Sequence, residues 1–487
     1  MSAAADDSNG VNDTVQDAAG HGDQPTETVS DQDRDALHAE AQRLLRQGRL
    51  KDAIARYQRL VDDDAQDSTA WANLGLALRA KGDFEAALAC QRRALEIVPT
   101  RLTYHLNLGN VLKDLDRFDE ALTLFERLAA AAPDNAKVHH NHATVLKEIG
   151  DLDAALAAFQ RACALDPDLT ESQWGAAVVL LTQGRYQEGW PFYDARLRLA
   201  RARSATYAVP AWRGEDLAGE TLLVHPEQGL GDAILAARFL PLVKARGGAL
   251  VLSCRAPLLS LFQDAAVADR VIAADDDLPA FDLHCALMSL PVIFDTHRAA
   301  VPPPLPLSPT AASRGRYRET VARYDDRFKV GIVWSGSTGY KDNHRRATAL
   351  QPFLRLCEVP GVQLFSLQKG AQTAQIRRGG AEALVVDLGS RDRDLADTAA
   401  AIEDLDLVIM TDSAVAHLAG SMGRPVWNLL HHVPYWIYGV SGEITPWYPS
   451  MRLFRQPGVG DWDSVFERVL AELRTAVAMK QAGQWPR

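Results

Sequence analysis

Three short segments of the 487-residue chain hold the side chains best suited to chemistry. The first is His225-Pro226-Glu227-Gln228-Gly229-Leu230-Gly231-Asp232. It follows a Leu- and Val-rich run at 221–225 and opens a helical pattern. Gly229 and Gly231 therefore permit a tight turn and close backbone approach to a ligand, and the acid at the end of the loop, Asp232, faces the cleft. The alternative for Asp232 is a helix N-cap. The second segment is Thr411-Asp412-Ser413-Ala414, continuing through His417 to Gly420. It passes from a strand end into a helix, so two hydroxyls, a carboxylate and the free amides near Ala414 gather at a positive helix end suited to an anion. His417 lies one turn on, on the face of Ser413, and either reaches that anion or packs in the core. The third is Trp334-Ser335-Gly336-Ser337, leading to Lys341, His344, Arg345 and Arg346. This basic cluster suits a phosphate or an anionic sugar, or is a solvated loop. No metal is expected, because the adjacent His431 and His432 point differently and lack an Asp or Cys at ligand spacing.

All three segments end a strand, so the C-terminal half must be built of sheets that align such ends. Strands are expected at 221–225, 250–253 and 271–274, then at 330–334, 362–367, 384–387, 407–411 and 426–430, with helices between them, including 233–245 and a last one over 462–478. Five prolines within 301–309 separate the two sets. Residues 204–310 and 311–487 then form two Rossmann-like halves. Ligands in such sheets bind at the C-terminal strand ends, and the final helix is expected to pack back across both halves.

The N-terminal half repeats. Gly48, Gly82, Gly150 and Gly184 lie at multiples of 34 residues, with Asp116 in the missing place. Ala53, Ala87, Ala121 and Ala155 keep the same step, as do Pro99, Pro133 and Pro167. Each unit reads as two helices with a turn at the Gly and a stop at the Pro. Residues 33–203 thus resemble a tetratricopeptide-repeat solenoid. Asn73, Asn107 and Asn141 recur on the first helix, which lines the groove in such arrays; an amide both donates and accepts, so the three can hold the backbone of an extended peptide or bridge helices. Arg79, Lys113 and Lys147 form a second column that favours an acidic segment or is a solvated face.

At ~150 residues per domain the length calls for about three folded units. Hydrophobic residues make up 47% and charged residues 24%, which excludes a wholly disordered chain. Within residues 1–37, nine acidic groups against Arg34 hold about −8 of the formal −11, leaving about −3 for the rest. Such a body lacks the positive field that nucleic acid requires. Residues 1–32 are read as a disordered acidic tail. Five scattered cysteines without a C-x-x-C pair read as buried thiols, and no run of ~18 apolar residues offers a membrane span. With no visible signal peptide, a cytoplasmic protein is expected.

The asparagine column resembles that of the tetratricopeptide region of the protein O-GlcNAc transferases, which implies a polypeptide acceptor. Residues 215–470, through His225 to Asp232, Thr411 to Gly420 and Gly423-Arg424-Pro425-Val426, resemble the heptosyltransferase-like glycosyltransferases of GT-B fold. The resemblance implies a metal-independent, inverting transfer from a nucleotide-sugar, with no further cofactor. Asp232 then acts at the acceptor hydroxyl. Gly229, Gly231, Ser335, Lys369, Thr411, Asp412, Ser413, Ala414 and His417 line the donor site, the family pattern placing Lys369 of Leu367-Gln368-Lys369-Gly370 beside the nucleotide. Repeats joined to such a domain resemble bacterial flagellin glycosyltransferases, so flagellin modified with a nonulosonic acid such as pseudaminic acid is the sharpest expectation. A transferase acting on lipopolysaccharide or another glycan, and a non-catalytic adaptor, are the alternatives.

Overall fold

The computed structural model describes residues 31–199, 207–337 and 343–486. The acidic tail, apart from its last two residues, and Lys341 lie outside them. The chain divides into two compact units, 1–115 and 116–487.

In the first unit the 34-residue period becomes helices α1 (Asp31–Arg46), α2 (Leu50–Asp63), α3 (Ser68–Lys81), α4 (Phe84–Ile97) and α5 (Leu102–Asp114). Gly48 and Gly82 take positive φ, 72° and 90°, the left-handed turn that ends a first helix and that glycine adopts without steric cost. Ala53 and Ala87 are fully buried, where only a small side chain lets paired helices close. The second unit opens with α6 (Phe118–Ala131), α7 (Ala136–Ile149), α8 (Leu152–Leu165), α9 (Thr170–Thr182) and α10 (Tyr186–Tyr193). Asn135 and Asp151 cap α7 and α8 with side-chain oxygens. Asp116 replaces the glycine at the same left-handed position, with φ 57°.

Two all-parallel sheets follow. The first pairs β1 (Thr221–His225), β2 (Ala249–Cys254), β3 (Arg270–Ala273) and β4 (Leu283–Ala286) in the order β3-β2-β1-β4. The second comprises β5 (Phe328–Val333), β6 (Val362–Ser366), β7 (Val385–Asp387), β8 (Leu407–Thr411), β9 (Val426–Leu430) and β10 (Met451–Arg455), in the order β10-β9-β8-β5-β6-β7. The strand order reverses its progression between β1 and β4 and between β5 and β8, the two places where such sheets open a crevice. The helices used below are α11 (Leu230–Ala236), α12 (Ala414–Ser421) and α13 (Trp462–Gln481).

Three expectations need correction. The helix read over 233–245 is interrupted: α11 ends at Ala236, a tight turn spans Ala237–Phe239, and a short helix resumes over Leu240–Lys244. Pro241 has no N–H to donate to Ala237, which breaks the ladder there. Strands β4 and β10 were not expected; four residues of mixed polarity and a Trp-Tyr-Pro tail hide them. Helix α13 does not span both halves. Its Val465, Phe466, Val469, Leu470 and Leu473 share a core with Phe328, Val330, Ile332 and Leu364, and no residue of the first sheet belongs to that core among the described residues. The alternating outer-facing residues of β5 match the apolar stripe of α13, so one sheet face covers it. A different core joins α10 to both sheets through Tyr186, Trp190 and Tyr193.

Candidate active site

The two crevices of the second unit meet. At the end of β1 the glycine loop leads into α11, and at the end of β8 Thr411–Ser413 leads into α12. A Cβ placed on Gly231 would stand 2.7 Å from His417 Cδ2 and 3.4 Å from the Ala414 Cα. The close approach that Gly231 permits is therefore to the tip of α12, not to a ligand, and it brings the Asp232 charge within reach of His417.

Asp232 is half-buried. One carboxylate oxygen accepts the Gly229 amide at 2.9 Å, the reach back from the third helical residue to the cap that starts many helices. The other accepts the Tyr435 hydroxyl at 2.8 Å. Asp232 is thus a cap and also a group addressed from the opposite lobe. Gly229 has ordinary extended backbone, φ −77°, and a side chain there would crowd the Asp232 oxygen at 3.0 Å. Below the loop, Glu227 and Arg196 form a buried ion pair at 2.8 Å, with Ser289 Oγ and the Met288 amide completing it. Burial, the larger influence, raises the Glu227 carboxyl above its ordinary pKa, and Arg196 opposes that push.

On the facing side Ser413 caps α12 through its hydroxyl, which accepts the Val415 amide at 3.4 Å. The first amides of any helix lack intrahelical partners, so the tip beside Ala414 retains donors. Thr411 is fully buried and its hydroxyl is unpartnered. The Asp412 carboxylate accepts the Tyr438 hydroxyl at 2.8 Å and lies 4.0 Å from the Arg346 guanidinium. His417 does not face the crevice as a phosphate ligand would. It is 4% exposed, shares a 3.0 Å hydrogen bond with the Tyr448 hydroxyl, and burial lowers its pKa to about 4, so it is a neutral packing group between the lobes. Ser335 is buried at the end of β5, where its hydroxyl accepts from Asn343 at 3.0 Å and its amide donates to Gln368.

The basic cluster separates by residue. Lys341 is outside the described residues. Arg345 is turned away, donating to Asp116 at 2.8 Å and Glu148 at 2.6 Å and lying over the Phe118 ring. Its partners are repeat residues, so its charge is neutralised there rather than offered to a phosphate. His344 is exposed and 3.8 Å from Asp116. Arg346 alone of the described three lies at the crevice. Lys369 is paired with Asp392 at 2.8 Å and donates to the Asp394 carbonyl at 3.2 Å.

Asn73 on α3, Asn107 on α5 and Asn141 on α7 are half-buried, each on its own first helix. The basic column is not a free attractive face: Arg79 pairs with Asp114 at 2.6 Å, Lys113 with Asp114 at 3.1 Å and Lys147 with Glu148 at 2.7 Å. All five cysteines are free thiols, with Cys163 and Cys357 only half-buried. Among the described residues no cluster of His, Cys, Asp and Glu could hold a metal ion, and no helix is long and apolar enough to cross a membrane.

Sequence reading missed Tyr435 and Tyr438, which hold the two carboxylates, and Gln368, whose side-chain oxygen accepts the Trp334 and Ser335 amides at 3.1 and 3.0 Å. The signal for the tyrosines was the Pro-Tyr-Trp-Ile-Tyr run directly after a strand end, a dense aromatic cluster in a loop.

The fold and crevice define a repeat protein joined to parallel-sheet α/β layers, and comparison places the repeats: the tetratricopeptide repeat family matches residues 38–101 and 140–204, and a second tetratricopeptide repeat description matches 99–168. Among characterised proteins the chain is similar to Protein FlbA of Caulobacter vibrioides, 31% identical over 337 residues that cover 63% of this chain. The match spans about half, 55%, of that relative's length. Solved structures that resemble it include MamA from Desulfovibrio magneticus RS-1, 20% identical with TM-score 0.29, covering 35% of this chain and 94% of that one. TTC0263, a thermophilic tetratricopeptide-repeat protein of Thermus thermophilus, is 22% identical with TM-score 0.32, covering 34% and 91%. Likenesses this distant in shape have no bearing on function.

Proposed function

We propose that the chain is a GT-B glycosyltransferase that moves a sugar from a nucleotide-sugar to Ser or Thr hydroxyls of a polypeptide held by the repeats, with flagellin and a nonulosonic acid such as pseudaminic acid as the specific pair. One observation carries the reading: Gly231, the neighbour of the half-buried carboxylate Asp232, closes on the tip of α12, and Asp232 itself accepts the Tyr435 hydroxyl from the other lobe. Asp232 takes the proton from the acceptor hydroxyl as that oxygen bonds to the anomeric carbon. The bond from that carbon to the phosphate oxygen breaks, and the nucleotide leaves with its electron pair. The developing charge is met by the amides at Ala414, the Ser413 hydroxyl and Arg346. Asn73, Asn107 and Asn141 hold acceptor backbone through their amides. The resemblance of repeats plus transferase domain to flagellin glycosyltransferases supports the choice of acceptor.

A second reading, a non-catalytic adaptor, is favoured by the pairing of Lys369 and Arg345 with protein carboxylates. Intact mass of flagellin from cells carrying the wild-type chain or Asp232→Ala separates the two. The expected outcome is a sugar-sized mass increment with the wild type and at least a ~100-fold lower modification rate with Asp232→Ala. Equal modification by both removes Asp232 from the reaction and with it this mechanism.

A further inference from the structure

We propose that Tyr435 is a positioning residue that sets the candidate base Asp232 from the opposite lobe, making the base competent only when the two lobes are closed on each other. The inference rests on the preceding reading of Asp232.

Asp232 has two carboxylate oxygens, and each has a distinct donor. The Gly229 amide comes from the same loop and is present whatever the lobes do. The Tyr435 hydroxyl comes from the segment after β9, 203 residues away in sequence, so its bond exists only while the lobes are together. With the first donor alone the carboxylate can rotate about the bond that joins it to the chain; with both it is fixed, which leaves defined lone pairs for an incoming hydroxyl.

Tyr435 is itself held. Its turn continues through Trp436 to Tyr438, and Tyr438 donates to Asp412 on the donor-side segment at 2.8 Å. Trp436, 1% exposed, packs edge-on against Tyr186, Trp190 and Trp447, with ring centroids 5.2–5.7 Å apart. One turn therefore touches the carboxylate of each crevice and is wedged against the last repeat helix. Burial, and the negative charge of Asp232 after it, raise the Tyr435 phenol well above its ordinary pKa, so it stays protonated and donating.

The test uses the full chain with Tyr435→Phe, which keeps the ring and removes only the hydroxyl, alongside Asp232→Asn. Kinetics are measured with nucleotide-activated pseudaminic acid and unmodified flagellin, and thermal unfolding is followed in parallel. In a separate sample 3-fluorotyrosine replaces Tyr435 and its ¹⁹F resonance is compared with and without Asp232→Asn. The expected result is a kcat for Tyr435→Phe about 10- to 100-fold lower, with unchanged donor KM and unchanged Tm, no further loss on adding it to Asp232→Asn, and a ¹⁹F shift that moves with Asp232→Asn. An inactive Asp232→Asn beside a fully active Tyr435→Phe overturns the positioning role alone. An active Asp232→Asn overturns the base and this inference together. A ¹⁹F resonance that ignores Asp232→Asn overturns the inference whether or not the donor is turned over.

Discussion

His225, His417 and His431 share one circumstance: burial lowers the pKa of each to about 4. In the unfolded chain they titrate near ~6.5. A histidine held neutral in the folded state contributes fully above the unfolded value, and that contribution is lost as pH falls toward the folded one. Each group should therefore cost about 1.4 kcal/mol of stability per pH unit between roughly 6.5 and 4. Unfolding midpoints recorded from pH 7.5 to 4.5 should fall steeply in that window, and His417→Gln should flatten the slope by one group's share. An unaltered slope in that variant would show that folding does not depress the His417 pKa. From sequence, packing was only one of two readings for His417, because a histidine one turn into a helix has no local mark that separates burial from ligation. Asp232 was legible, since a carboxylate after a glycine turn is a local pattern. Its partner Tyr435 was not, because the bond spans 203 residues.

At the scale of elements, the repeat columns translate directly. Glycines at the 34-residue step all take positive φ, and the central strands β1, β8 and β9 fall where their apolar runs predict. Short β4 and the broken helix after α11 were hidden because tertiary pairing and one proline decided them. The glycine column nevertheless contains two physical situations. Gly82 has nothing within 4 Å of where a Cβ would be, whereas at Gly150 such an atom would lie 3.0 Å from His432 Nε2. Gly82→Ala should cost about 1 kcal/mol from backbone strain alone. Gly150→Ala should cost clearly more, since His432 must also move; denaturant midpoints of the two variants give the comparison, and equal losses would mean that the His432 contact carries no weight.

For the molecule as a whole, the division after Leu115 matters more than the boundary between repeats and sheets. Helix α10 is part of the core beneath both sheets: the Trp190 indole donates to the Thr296 carbonyl at 2.8 Å, and the Trp447 indole donates to the Tyr186 hydroxyl at 2.9 Å. A chain starting at Asp116 keeps that core, and one starting at residue 204 exposes it. The first should be monodisperse with a cooperative thermal transition, and the second should aggregate or lack near-ultraviolet dichroism. A well-folded 204–487 fragment would show that α10 is dispensable. Deleting the whole repeat region is consequently a poor way to ask whether the sheets act alone, since it removes part of their interior. Sequence periodicity could not show this, because α10 obeys the same 34-residue rule as helices that touch only other repeats.

Asp116 carries a consequence of its own. It sits at a backbone angle that glycine takes at every equivalent place, and its carboxylate receives Arg345 from beyond β5. A tandem array needs that site only for turning, so natural substitution there should drift toward glycine or asparagine unless something outside the array demands otherwise. The turn residue that disobeys its siblings is one that itself grips a neighbour, and in related arrays the odd residue out is a place to look for such an attachment before any coordinates exist.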